Sequence, residues 1–229
     1  LTLTTGPFVD HSLPLAFHTA TAKPVALEGW NLPDNLKTLQ PVAEGNQNTA
    51  LLSHPQLANW LTLPVSPTPV ILESNESQQE KGQALTVPTT VTGKIAEPEE
   101  IDVYHFPAKK GEKLSFRVDS HALGYPLDAH LKLLDATGKL LKEIDDPVRN
   151  HFDARMDYAI PADGEYRLQV TDRFQHGGAR YVYLLSILPT EADFALTTPE
   201  EQYTLTTGGK PLEIEVTIDR QSPRFSDDI

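Results

Sequence analysis

At 229 residues and 39% hydrophobic content the chain can hold one large or two small domains, and the spacing of its turn signals favours two plus a fragment. With 19 Lys and Arg against 32 Asp and Glu, the formal charge of -13 argues against a non-specific nucleic-acid binder, since phosphate binding rests on a basic surface, and it permits a divalent cation. The absence of cysteine removes disulfides, thiolate metal sites and a Cys nucleophile together, without fixing the compartment, and no run approaches the roughly 20 apolar residues of a membrane span.

Leu1 rather than Met opens the chain, with no basic-then-apolar leader, so a processed or excised piece of a longer protein is expected. Residues 1–65 alternate weakly in FVDHSLPLAFHTA, KPVALEGWNLP and LANWLTLPV, separated by Pro- and Asn-rich turns, and read as a small β domain. Leu27, Trp30 and Leu32 flank Gly29 in a short segment that resembles the glycine-centred strand end of immunoglobulin-like modules. NTALLSHPQLANW is compatible with a strand or a short helix. Residues 66–84 are expected as a linker: PVSPTP is stiff and extended because each Pro fixes φ and biases its predecessor away from helix, and ILESNESQQEKGQ is polar and acidic.

The main body is expected over 85–188. LTVPTTVTGKI reads as a strand with a turn at Gly93. IDVYHF puts Tyr104 and Phe106 on one face, and EKLSFRV does the same for Leu114, Phe116 and Val118. AHLKLLD turns Leu131 and Leu133 inward and returns through ATGK, with Gly138, as a hairpin. ARMDYAI, EYRLQVTD and ARYVYLLSI complete about eight antiparallel strands, so the fold class is all-β, a jelly-roll-like β-sandwich. Residues 189–229 alternate again through Leu212, Ile214, Val216 and Ile218 and read as the start of a further β module.

Three segments, TVTGKIAEPEEIDVYHFPAKKGEKLSFRV, PLDAHLKLLDATGKLLKEIDD and DYAIPADGEYRLQVTD, together resemble the bacterial pre-peptidase C-terminal domain family over roughly residues 71–188. The resemblance implies a calcium-compatible β-sandwich, similar to the collagen-binding domains of collagenases and carried as a non-catalytic appendage by secreted proteases. With immunoglobulin-like units on either side, the arrangement resembles the tandem modules of very large exported proteins of planctomycete-type bacteria. It further implies that Ca²⁺ is held by an acidic segment before the first strand and by acids where the Asp-hydrophobic-aromatic strand opens. Carried over by position, these are Glu73, Asn75 and Glu76 in LESNES and Glu99 and Asp102 in EPEEID, while Ile71 stands where the pattern has another acid. Independently of the family, Ca²⁺ takes six to eight hard oxygens, which Glu, Asp and Asn supply; a solvated acidic linker is the competing reading.

Other groupings are weaker. Asp128, Asp145, Asp146 and Asp153 bracket the hairpin, where Asp is also the ordinary turn residue. His11 and His18, and His121 and His130, form no HExxH or comparable ligand spacing, no GxSxG elbow is present, and Gly208 to Lys210 is no phosphate loop. Tyr104, Tyr125, Tyr158, Tyr166, Tyr181 and Tyr183 could form a ligand strip if exposed, but most fall at inward parity. The expected function is a non-catalytic accessory module of a large secreted or cell-surface bacterial protein, with the periplasm as the other compartment. It would serve adhesion, substrate targeting or domain spacing, with an extracellular protein, a polysaccharide or other domains of the same chain as partners. The alternative is a carbohydrate-binding module attached to an exported hydrolase or peptidase, and a hydrolase using Asp128 and Asp153 ranks last.

Overall fold

The computed structural model describes residues 4–21, 23–43, 48–79, 81–145, 152–190, 194–199, 204 and 214–220. It is all-β, with helical geometry among these residues confined to short 3-10 turns. Residues Leu1–Pro189 form one compact unit and Thr190–Ile229 a second, in which two strands, Phe194–Thr197 and Thr217–Arg220, pair antiparallel. Ile214, Val216 and Ile218 are exposed there, and Leu212 lies outside the described residues.

The first part of the large unit contains β1 (Phe8–Leu13), β2 (Val25–Trp30) and β3 (Thr38–Leu39) in one sheet and β4 (Val42–Ala43), β5 (Thr49–Leu52) and β6 (Leu61–Pro64) in another. TALL, Thr49–Leu52, is thus strand. Val9, Phe17, Val25, Leu27, Ala50, Leu52 and Leu63 fill the space they enclose.

The rest is a two-layer sandwich. β7 (Val70–Leu72), β8 (Gln83–Ala84), β9 (Thr89–Lys94), β10 (Asp102–Ala108), β11 (Lys113–Asp119), β12 (Ala129–Asp135), β13 (Leu140–Ile144), β14 (Ala154–Ala159), β15 (Gly164–Asp172) and β16 (Val182–Pro189) form two five-stranded sheets, ordered β13-β12-β15-β10-β8 and β14-β11-β16-β9-β7. Alternation decides what lies between them: Tyr104 and Phe106, Leu114, Phe116 and Val118, Leu131 and Leu133, and Tyr166, Leu168 and Val170 all point inward and are buried. At the ATGK turn Gly138 has φ 84, the left-handed region that a glycine enters without strain, and Asp135 Oδ1 accepts from Thr137 N at 2.8 Å.

Two features depart from the expectation. The stretch 66–84 is built into the sandwich, supplying β7 and β8 as edge strands that pair in parallel with β9 and β10. Strands of three and two residues carry too little alternation to be read from sequence. Gly93 lies inside β9, not at a turn, and a Cβ there would stand 2.3 Å from Tyr183 Cζ, so the glycine makes room for a buried ring.

The outward face of the β9–β16 sheet is covered as well. Val182 and Leu184 of β16 pack with Leu15, Ala16 and Tyr125 in a cluster shared with the first part of the chain. Leu15 N donates to Thr92 Oγ1 at 3.0 Å, Thr68 Oγ1 and Thr90 Oγ1 lie 2.8 Å apart, and Asp10 Oδ1 pairs with Arg180 Nε at 2.9 Å. Asp10 falls where the register of β1 against β2 shifts, a bulge that re-aims its side chain.

Candidate functional site: a carboxylate group at the sandwich edge

Glu73 leaves the end of β7, its N–H held by Thr92 O at 2.8 Å. The following turn folds Ser77 beneath it, where the buried Ser77 Oγ donates to Glu73 Oε1 and Ser77 O accepts from Val103 N at 2.8 Å. Glu73 Oε2 accepts from Lys94 N at 2.7 Å. Glu100 sits in the turn before β10: its Oε2 accepts from Glu97 N at 2.7 Å and its Oε1 from Gln78 Nε2 at 2.7 Å. Asp102 opens β10 on the inward face and is fully buried. Ligand atoms of Glu73, Glu100 and Asp102 all lie within 4.8 Å of one another, the one such group among the described residues.

Beneath Asp102 a hydrogen-bonded chain runs into the core. Tyr183 Oη donates to Asp102 Oδ2 at 2.6 Å, and Tyr104 Oη lies 2.6 Å from Tyr183 Oη. Because the one Tyr183 hydroxyl proton is given to Asp102 Oδ2, Tyr104 is the donor to Tyr183. Asp102 Oδ1 is buried with no hydrogen-bond partner. Burial, and next the charge of Glu73, push the Asp102 carboxyl up to about 9, and burial pushes both phenols well above their ordinary range.

Of the sequence-predicted ligands, Glu73 and Asp102 come together. Glu76 and Glu99 are exposed and lie outside the group, Glu99 with φ 66, and Asn75 is exposed on the turn that follows Glu73. Glu100 is the member that sequence reading missed. Asp102, Tyr104 and Phe106 share the inward face of β10, but Glu100 joins them from the turn before the strand, where strand parity gives no signal. A buried carboxyl that has one oxygen without a hydrogen-bond partner and is grouped with Glu73 and Glu100 fits a hard cation such as Ca²⁺, which would bind it in the ionised form.

The other groupings are structural. Asp153 accepts from the N–H groups of Ser120 and His121 at 2.7 Å and of Ala122 at 2.8 Å, and Asp172 accepts from Asp128, Phe174 and His176 N–H. Asp145 pairs with Arg173 at 2.9 Å, and Asp146 lies outside the described residues. Tyr104, Tyr166 and Tyr183 are core residues, so the tyrosines form no exposed strip. Tyr183→Phe removes the donor to Asp102 and is expected to lower stability by about 2 kcal/mol in urea unfolding; an unchanged midpoint would mean that this bond contributes nothing.

No protein-family profile matches the chain. Among curated proteins it is similar to a probable subtilase-type serine protease of Deinococcus radiodurans, 36% identical over 78 residues, which are 34% of this chain and 10% of that protein. The chain thus spans a tenth of this curated relative. Among solved structures it is similar to the pre-peptidase C-terminal domain of a collagenase from Bacillus anthracis, at 16% identity and TM-score 0.35, covering 53% of this chain and 97% of that one. It is also similar to a mutant periplasmic inhibitor of g-type lysozyme from Escherichia coli, at 20% identity and TM-score 0.33, covering 48% of this chain and 99% of that one. A solved domain bearing the name of the family that the three sequence segments resemble is therefore among the structures similar to this chain.

Proposed function

We propose that the chain is a non-catalytic accessory module of a large secreted or cell-surface protein, serving adhesion, substrate targeting or domain spacing, and stabilised by calcium. The observation that carries this reading is where the carboxylates converge. They meet at the edge of a sandwich whose interior is filled by Phe106, Phe116, Leu131, Leu133 and Leu168, and they rest on core tyrosines, an arrangement suited to holding segments together. Tying β7 and the first β region onto the same sheet, and β8 onto the other, makes the unit a rigid spacer. In this reading Glu73, Glu100 and Asp102 hold the ion, and Tyr183 fixes the Asp102 carboxylate so that Oδ1 faces it.

The test is retention without turnover. Incubated with insoluble collagen, chitin and cellulose, the protein is expected to be retained on at least one in calcium and to release neither peptides nor sugars; release of either overturns the reading.

Calcium stabilisation has its own test. Without metal, the Asp102 carboxyl titrates near about 9 in the folded chain and near about 3.9 when unfolded, so the folded state holds the extra proton between those values. The stability from this group is present below about pH 4 and is lost as pH rises toward about 9, by at most about 1.4 kcal/mol per pH unit. A cation binds the ionised group, so its stabilisation grows with pH over the same window. Melting in chelator is expected to fall between about pH 5 and pH 8, and Ca²⁺ to raise it most at the upper end. A melt at pH 8 that saturating Ca²⁺ leaves unmoved removes the ion from the proposal.

A further inference from the structure

β6 is the outer strand of its sheet, and its backbone edge is only partly used. At its end the Phe17 N–H donates to Pro64 O at 2.9 Å, the Ser66 N–H donates to Phe17 O at 2.7 Å, and Phe17 bridges Val65 in parallel. Among the described residues, no backbone group outside the β5 ladder bonds to Leu61, Thr62 or Leu63. Beside this open length lies a cleft of ≈ 250 Å³, bounded across from β6 by the 3-10 turn His121–Leu123. Leu15, Leu63, Leu123 and Tyr125 wall it, and Trp60 stands at 68% exposure.

Three physical points narrow what the cleft takes. It continues the apolar interface in which Leu15 and Tyr125 are buried and against which Leu123 packs, so its walls are pre-formed. Its side chains offer few polar groups: Thr62 brings a hydroxyl, and the Tyr125 hydroxyl donates to Asp10 O at 3.3 Å, whereas a sugar ring needs several donors and acceptors about its rim. An unpaired strand edge is a template for another extended chain. Tryptophan is on average a well-buried residue, and one held exposed at the rim of a cleft matches the residue type that dominates protein interfaces.

We propose that this edge and cleft bind an extended segment of a partner polypeptide. The segment adds as a strand along Leu61–Leu63, as Phe17 does in parallel at Val65, and places one large apolar side chain in the cleft between Trp60 and Leu123. The site is separate from the carboxylate group and does not depend on calcium.

The test pans a display library of random short peptides in parallel against the 229-residue chain and its Trp60→Ala variant, whose lost ring is exposed and whose melt is expected to be unchanged. The expected result is enrichment, on the unaltered chain, of peptides carrying a large apolar residue among β-forming neighbours. These should bind Trp60→Ala about tenfold or more weakly and slow amide exchange over residues 61–63. Thr62→Lys, at an exposed position on the same strand, is expected to weaken them likewise. Absence of enrichment, equal binding to Trp60→Ala, or protection elsewhere overturns the proposal. Retention on cellulose or chitin that is lost in Trp60→Ala overturns it in favour of a sugar platform, and a dimer in sedimentation that is lost in Trp60→Ala overturns it in favour of self-pairing.

Discussion

Gly93→Ala is expected to destabilise the folded chain by about 3 kcal/mol or more, read as a lower urea midpoint with an unchanged slope. The added methyl would lie 2.3 Å from Tyr183 Cζ and 2.4 Å from its hydroxyl. Flexible neighbours absorb such intrusions, but this ring is fully buried, bonded through its hydroxyl to Asp102 on one side and met by Tyr104 on the other. To move away, Tyr183 must release Asp102, which leaves a buried carboxyl oxygen without its donor. The penalty is therefore steric and electrostatic together. Gly164→Ala is the matched control: that glycine also lies in a strand and nothing stands within 4 Å of the added carbon, so little change is expected. Equal midpoints for the two variants would mean that Tyr183 is free to shift, and the polar chain beneath the carboxylates would then be no fixed support.

Deleting residues 1–65 is the second large perturbation. β16 is buried on both faces, Tyr183, Leu185 and Ile187 in the sandwich and Val182 and Leu184 against Leu15 and Ala16. The truncated chain would present Val182 and Leu184 to water together with Thr92, which is buried in the intact unit and bonded there to Leu15. At about 1.5–3 kcal/mol for each buried aliphatic side chain, the loss is on the order of 5 kcal/mol, enough to lower the melting temperature by about 10 °C or more and to leave an adhesive face. Val182→Thr with Leu184→Thr, made in the truncated chain, is expected to restore solubility. A truncated protein that is soluble and melts as the intact one does would show that the first β region merely rests on the sheet.

Much of the sandwich was legible because its information is local. LLDATGK announces a hairpin through its Asp and Gly, and the inward residues of β10, β11, β12 and β15 follow from a period of two, which any window of a few residues displays. The run VYLLSI carried a further hint. Unbroken apolar residues mark a strand covered on both faces, yet nothing in the run says what covers the second one. The edge strands β7 and β8 were illegible for the opposite reason: they are short, and their pairing comes from neighbours. In EPEEID the acids were visible, but choosing Glu100 over Glu99 required knowing that the chain turns at 99 before the strand begins.

By itself, then, the amino-acid sequence determined that this protein is all-β, where its main strands run and which of their side chains face inward, since alternation is a property of adjacent residues. Only the tertiary structure decided which carboxylates meet, that a buried tyrosine supports them, and that the outer sheet face is occupied. Those outcomes rest on partners far apart in the chain, 81 residues between Asp102 and Tyr183 and 77 between Leu15 and Thr92, and no local pattern encodes which distant segment arrives.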